Sequence, residues 1–417
     1  MSLRRVLVLL LSLGLLLSFY GKLLELNRHL ETTAAPAAQP RLTEAALLRF
    51  SGPSSELVVP RTCCYKGIRC DPLDFYQIFI IQGERPDGRL KLMYAPITDS
   101  LLRGLQSREG ECGYKTWRML PPRKQDTFNF SVFNSSGPRP GDVVLFVGTL
   151  FSPNFTARCE NQWAPNRIYC IWYQVEPRDY PNASRSPGEG VCEVWDYTHG
   201  NDPRGRVVRY VPPGFVPAED TEELNDQMVR KRAQSLKPMS LLWYFIGRLG
   251  PERQKCWDHF QTLKYFQKHE LRKIPKGGDK GYPPVYTRDD WKKLGRLKNA
   301  VFLKNFHQAC NRSQPLETKP LETVRLAQLL SLGFLVVSEE VNLLDAELYK
   351  DTIIIEKHIF DERWSPFLQS LLKNRSALVD FQWQAYQLFK QRFAPAALLR
   401  SAAVWDGGAA ASAGCET

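Results

Sequence analysis

The sequence predicts an α/β protein of two lobes, each built on an open, mostly parallel sheet, facing one another across a cleft. Three observations carry that expectation. Apolar runs of four to eight residues recur, closed by Gly, Pro or Asp, as strands buried on both faces do. Helical or loop stretches separate them, which favours crossover connections over hairpins. The series stops at Pro212-Pro213-Gly214 and restarts at Leu241, after a polar interval.

The elements follow in chain order. Arg4 and Arg5 precede a largely apolar, Leu-rich run, Val6 to Gly21, uncharged until Lys22. A positive flank before such a run makes either a signal-anchor or a cleaved signal peptide. No small-residue cleavage site follows directly, and the short run suits a thin early-secretory bilayer. Residues 1–21 are therefore expected to be the anchor of a single-pass type II protein of the Golgi or ER membrane, its main domain lumenal. Residues 22–69, with the Ala/Pro-rich stretch Thr32 to Pro40, form a stem. Sequons at Asn129, Asn134, Asn154, Asn182, Asn311 and Asn374 agree with a glycosylated secretory protein. So do ten cysteines, with Cys63, Cys64, Cys70 and Cys112 grouped early and Cys159, Cys170 and Cys192 close together. They lack paired C-x-x-C knuckles, so disulfides are expected rather than a metal site, with the pairing left open.

The first lobe, 70–215, takes its strands from Phe75–Gln82, Asp142–Gly148, Arg167–Glu176, Val191–Asp196 and Val207–Val211. Residues 216–237, rich in charge, are expected to link the lobes. The second lobe, 238–375, takes Leu241–Gly247, Ala300–Lys304, Phe334–Ser338 and Thr352–Ile355, with helices at Glu252–His269 and Leu321–Leu332. A C-terminal helix at 376–395 returns over the lobes. Residues 396–417, with Gly407-Gly408 and an alanine run, are expected to be a disordered tail.

Net charge is +12, and it is local: Met228 to Lys304 holds 19 Lys and Arg against 6 Asp and Glu, while the rest sums to about neutral. A chain basic throughout would suggest nucleic acid; one basic segment does not, and no nucleic-acid partner is expected.

A cleft between the carboxyl ends of two such sheets is where ligands bind. At Gly247-Arg248 a strand ends in a glycine turn followed by fixed positive charge and a helix start, a place for a phosphate. Glu322 and Arg325 share a face at a helix N-terminus, where the carboxylate suits ribose hydroxyls and the guanidinium a phosphate. A plain ion pair is the simpler alternative. Glu176 and Asp196, at the ends of first-lobe strands, and His307 are the candidates for catalytic base or nucleophile. Trp163, Trp172 and Trp195 either pack the core or stack on sugars. No G-x-S-x-G or P-loop is present, which argues against a serine hydrolase or a P-loop enzyme.

The segment Leu321-Glu322-Thr323-Val324-Arg325-Leu326, continuing through Gly333 to Val336-Val337-Ser338-Glu339-Glu340, resembles the donor-binding helix–strand of GT-B glycosyltransferases. It is most similar to a group-1-like, bacterial capsule- and rhamnan-type branch. Further blocks follow in order: Val144–Leu150, Ile171–Glu176, Glu193–Tyr197 with Arg209–Phe215, Leu242–Arg248 and Leu294–His307, over about residues 140 to 390. The resemblance implies two Rossmann-like lobes, the second holding a nucleotide sugar and the first a glycan, glycoprotein or glycolipid acceptor. It implies Gly247, Arg248, Glu322, Arg325, Ser338 and Glu339 on the donor side and Gly148, Gln174 and Tyr197 on the acceptor side. The chain departs from the family's E-x7-E pair, with Leu330 eight residues after Glu322, and His307 aligns loosely. The stereochemical course stays open, as does an inactive GT-B-like lumenal protein that binds glycans or acts as a scaffold. No D-x-D occurs, so no metal and no cofactor are expected, and cationic groups must hold the diphosphate.

Overall fold

Strands that pair on both edges and are covered on both faces become unbroken apolar runs, and the longest runs here take the central positions. The computed structural model describes residues 67–82, 94–119, 137–148, 153–175, 190–199, 207–246, 251–268, 271–274, 288–304, 319–357, 359 and 363–406. The first lobe contains β1 (Tyr76–Gln82), α1 (Ala95–Gln106), α2 (Glu109–Cys112), β2 (Tyr114–Met119), β3 (Val143–Gly148), α3 (Pro153–Arg158), β4 (Tyr169–Gln174), β5 (Glu193–Asp196) and β6 (Val207–Tyr210). Its strands form one parallel sheet in the order β2-β1-β3-β4-β5-β6.

The second lobe contains α4 (Glu222–Gln234), β7 (Leu242–Ile246), α5 (Pro251–Thr262), α6 (Lys264–Lys268), β8 (Leu271–Ile274), α7 (Arg288–Leu294) and β9 (Ala300–Lys304). After these come α8 (Thr323–Ser331), β10 (Leu335–Ser338), α9 (Leu343–Leu348), β11 (Ile354–Ile355) and α10 (Pro366–Lys373). Its parallel sheet runs β11-β10-β9-β7-β8. In both sheets the order reverses beside the first strand, between β1 and β3 and between β7 and β9. That reversal opens a crevice at the carboxyl ends.

Each sheet is buried on both faces. Val143, Leu145 and Val147 point into one core and Val144 and Phe146 into another. Ala300 and Phe302 likewise face away from Val301 and Leu303. On α1, Ile97, Leu101 and Leu105 repeat every four residues and make the stripe that covers the first of these cores. Trp163, Trp172 and Trp195 are all buried in the first lobe, as core packing. The Cys70–Cys112 disulfide ties the entry to β1 to α2, and Cys192 and Cys256 are also disulfide-bonded.

Two expectations are corrected. Residues 216–237 are not a bare linker. Thr221 caps α4 by accepting from the Leu224 N–H, and Val229, Arg232 and Ala233 are buried against the second lobe. The charge run hid a helix whose buried stripe is only one residue wide per turn. Nor does a tail begin at 396. After α11 (Arg375–Arg392), α12 (Pro395–Ser401) buries Leu398 and Leu399, and Val404 and Trp405 follow into the first-lobe core. The Trp405 indole N–H donates to the Tyr114 hydroxyl at 2.9 Å. Four apolar side chains within eight residues suffice where a cavity is waiting for them, a circumstance that local sequence does not display.

The chain thus crosses between lobes twice, at Gly214-Phe215 and at Phe393-Ala394. The crossings are bonded together: the Phe215 N–H donates to the Phe393 carbonyl at 2.7 Å. The Gly214 N–H donates to Ser100 Oγ on α1, also at 2.7 Å. Ser100→Ala leaves that buried N–H unpaired and is expected to lower stability by about 1–2 kcal/mol, measured by urea denaturation.

Among the described residues no helix is long and apolar enough to cross a membrane; the expected anchor and stem lie outside them, apart from the last stem residues 67–69.

Candidate functional site

The carboxyl edges of the two sheets meet. In the first lobe, register places Gly148, Gln174, Asp196 and Tyr210 side by side across β3, β4, β5 and β6. The expected acceptor-side residues Gly148 and Gln174 and the candidate base Asp196 therefore share one row. Asp196 is 0% exposed, and its Oδ1 accepts from the Thr198 N–H at 3.1 Å, closing the turn after β5. Gln174 is buried, and the Gly148 carbonyl accepts from the Trp172 indole at 3.4 Å. Tyr197 is buried too, with its carbonyl accepting from Thr323 Oγ1, at the first residue of α8 in the other lobe, at 3.4 Å. Burial pushes the Tyr173 and Tyr349 hydroxyls well up, helped by the Asp196 charge at Tyr173 and the Asp345 charge at Tyr349.

Asp345, 1% exposed, is the hub of this seam. Its Oδ1 accepts from the His199 N–H and faces His199 Nδ1, both at 3.1 Å. Its Oδ2 accepts from Thr198 Oγ1, from the Leu321 N–H at 3.1 Å and from Asn342 Nδ2 at 2.7 Å. One carboxylate on α9 thus holds the turn after β5, the entry to α8 and its own helix cap. The His199 ring stacks on Tyr210, 4.1 Å between centroids. Sequence reasoning passed over Asp345, Thr198 and His199. Asn342-x-x-Asp345 does carry a signal, an N-cap residue with an acid three places on, but it announces a helix start and not an interlobe bond.

Among the residues expected on the donor side, Glu322 stands at the cap position of α8, which begins at Thr323, and its side chain makes no cap bond to the first turn. Arg325 is half-buried and its Nη1 donates to the Ile246 carbonyl at 2.7 Å. The helix start is thereby brought against the end of β7, immediately before Gly247 and Arg248. Ser338, at the end of β10, is buried with its hydroxyl on the Glu339 carbonyl at 2.9 Å. Glu339 is half-buried beside Lys319, and desolvation outweighs the lysine and pushes its carboxyl up to about 8.

Because that value lies above its ordinary 4.5, Glu339 adds stability that is full below pH 4.5 and is lost as pH rises through about 8. Between pH 5 and 9 the melting temperature of the wild type is expected to fall more steeply than that of Glu339→Gln. Parallel curves by differential scanning fluorimetry contradict this.

Glu176, His307, Gly247 and Arg248 lie outside the described residues, as do the sequons at Asn129, Asn134, Asn182 and Asn311. Asn154 falls on α3; Asn374 is exposed and caps α11, accepting from the Ala377 N–H at 3.2 Å. Among the described residues no group of three His, Cys, Asp or Glu stands close enough to hold a metal ion.

No family model matches the chain, and no curated protein matches it. Solved structures similar to it include the N-terminal domain of Candida albicans trehalose-6-phosphate phosphatase, at 12% identity over 81% of this chain and 97% of that one, TM-score 0.47. Others are an alpha-glucosyltransferase in complex with UDP-glucose and DNA containing an abasic site (10%, 77% and 96%, 0.47) and Anabaena HepE in complex with UDP (9%, 79% and 98%, 0.43). At these scores the likenesses carry no weight, and the architecture rests on this chain's own strand order and register.

Proposed function

We propose that this protein is a glycosyltransferase of GT-B architecture, moving a sugar from a nucleotide-sugar donor to a glycan, glycoprotein or glycolipid without a metal, anchored in the secretory pathway. The observation that carries the reading is the bond from Arg325 to the Ile246 carbonyl. It sets a guanidinium and the N-terminus of α8 at the carboxyl end of β7, where Thr323 also donates to the Tyr197 carbonyl of the other lobe. Both attract a diphosphate, the helix through its first amides and partial positive charge. A carboxyl with the pKa of Glu339 is mostly neutral at pH 7, so it sits near an anion without repelling it and keeps a proton to donate.

In the transfer, an acceptor oxygen forms the new bond to the anomeric carbon as the bond to the diphosphate oxygen breaks. The hydroxyl proton needs a base. Glu176 and His307 remain candidates, whereas Asp196 is sealed from solvent and already holds the Thr198 N–H. Asp196 burial favours a second reading, the inactive glycan-binding or scaffold protein on the same architecture. Donor hydrolysis separates the two: slow turnover of one nucleotide sugar supports the enzyme, and saturable glycan binding with no turnover supports the binder.

The donor assignment has its own test. One nucleotide sugar is expected to raise the melting temperature of the purified protein. Arg325→Ala is expected to weaken that ligand about 10- to 100-fold by calorimetry, the worth of a charge-assisted hydrogen bond. Unchanged affinity contradicts the donor site.

A further inference from the structure

Two thiols take no part in that chemistry. Cys159 opens a π-helical turn (Cys159–Trp163) and Cys170 lies on β4; both are free, both are fully buried, and both belong to the core formed with Phe155, Trp163 and Val191. Burial pushes the Cys159 thiol well up, and the neighbouring Cys170 thiol adds to that shift. Their backbones are held in place from three sides. The Ile168 N–H donates to the Trp163 carbonyl at 2.9 Å, which fixes the return from the π-turn into β4. The Cys192 N–H donates to the Cys170 carbonyl at 2.9 Å. Gly190 approaches the Cys159–Glu160 peptide so closely that a Cβ on it would overlap that backbone. The same protein holds its other described cysteines as disulfides, Cys70 with Cys112, and Cys192 and Cys256 each in one. A compartment that closes those bonds contains the oxidant for another.

We propose that Cys159 and Cys170 close a disulfide in the protein matured in an oxidising compartment, stapling the π-turn to the central strand β4. Each thiol gives up its proton, the two sulfurs bond, and the S–S bond of a disulfide oxidant breaks to give two thiols, taking the two electrons. Burial disfavours the Cys159 thiolate, so the reaction occurs during folding, before the core closes over it. The staple fixes α3 and the π-turn, which follow β3, to the strand that ends in Gln174. It therefore rigidifies the framework beneath the acceptor-side row Gly148–Gln174–Asp196.

The test uses the full chain produced through a secretory pathway, denatured without reductant, alkylated with N-ethylmaleimide, digested and mapped by mass spectrometry. The expected result is a linked peptide pair containing Cys159 and Cys170, neither alkylated. In Cys159→Ser, Cys170 is expected to become alkylated under the same conditions. Alkylation of both cysteines in the wild type overturns the proposal, as does a linkage of either to Cys192 or any other cysteine. So does a Cys170 that stays protected in Cys159→Ser. None of these outcomes depends on nucleotide-sugar binding.

Discussion

Asp345→Ala is expected to cost about 3–5 kcal/mol, the range for removing one partner from a buried charged network. The loss follows from what remains. The amides of His199 and Leu321, the Thr198 hydroxyl, the Asn342 side chain and the His199 ring all converge on this carboxylate, and in the variant they face a hole. Each buried donor left unpaired adds about 1–3 kcal/mol, and relaxation of the seam recovers part of the sum. Asp345→Asn keeps the volume but turns an amide NH2 toward donors, so an intermediate loss is expected. Because the donors come from both lobes, urea unfolding followed by tryptophan fluorescence is expected to separate into two transitions in the alanine variant. A single transition with a loss below about 1 kcal/mol would show that the lobes are joined chiefly by their two chain crossings.

The parts of the fold legible in the sequence are those where one physical pressure acts alone. Val143–Gly148 and Ala300–Lys304 are buried on both faces, and an unbroken apolar run is the only composition that satisfies both sides. Two of the four edge strands, β2 and β8, were missed for the converse reason, while β6 and β11 were read as strands. On β2, Tyr114 and Thr116 point inward while Lys115 and Trp117 are exposed, so the signal alternates and never becomes a run. Strand β8, Leu271–Ile274, is four residues long, two of them basic, at the opposite edge of its sheet.

The site divides in the same way. Arg325 was singled out because it shares a face with Glu322 at a helix N-terminus, whereas its bond to the Ile246 carbonyl, 79 residues away, was not readable. Asp345 was not, because its partners other than Asn342 lie 24 to 147 residues away along the chain, and only the folded topology brings them together. The basic segment misled by averaging. Lys293, Arg296 and Lys298 are solvated surface and Lys292 pairs with Glu219 and Asp220, yet Arg232, within the same run of charge, is buried.

Arg232 shows what positions α8, and Gly333 is where that positioning is most sensitive. The Gly333 N–H donates to the Leu330 carbonyl at 2.8 Å and the Phe334 N–H to the Leu329 carbonyl at 2.9 Å, the paired bonds of a Schellman end. Arg232 Nη2 then donates to the Leu332 carbonyl with its guanidinium over the Phe334 ring, and Gln382 Nε2 donates to the Gly333 carbonyl. Gly333 has φ +66°, and a Cβ there would overlap Val229 on α4. Gly333→Ala therefore meets two costs, about 1–3 kcal/mol of left-handed backbone strain and about 1–3 kcal/mol of overpacking. They are separable. Val229→Ala removes both γ-carbons that the new methyl meets, so the Gly333→Ala/Val229→Ala double variant is expected to be more stable than the two single losses predict, by about 1–2 kcal/mol. The backbone strain stays. If the C-terminal peg sets the aim of the N-terminus, Gly333→Ala also weakens the nucleotide-sugar binding proposed at Arg325, eight residues earlier in the chain, and the double variant restores part of it. Stability recovered without affinity would mean that the Ile246 carbonyl alone aims Arg325.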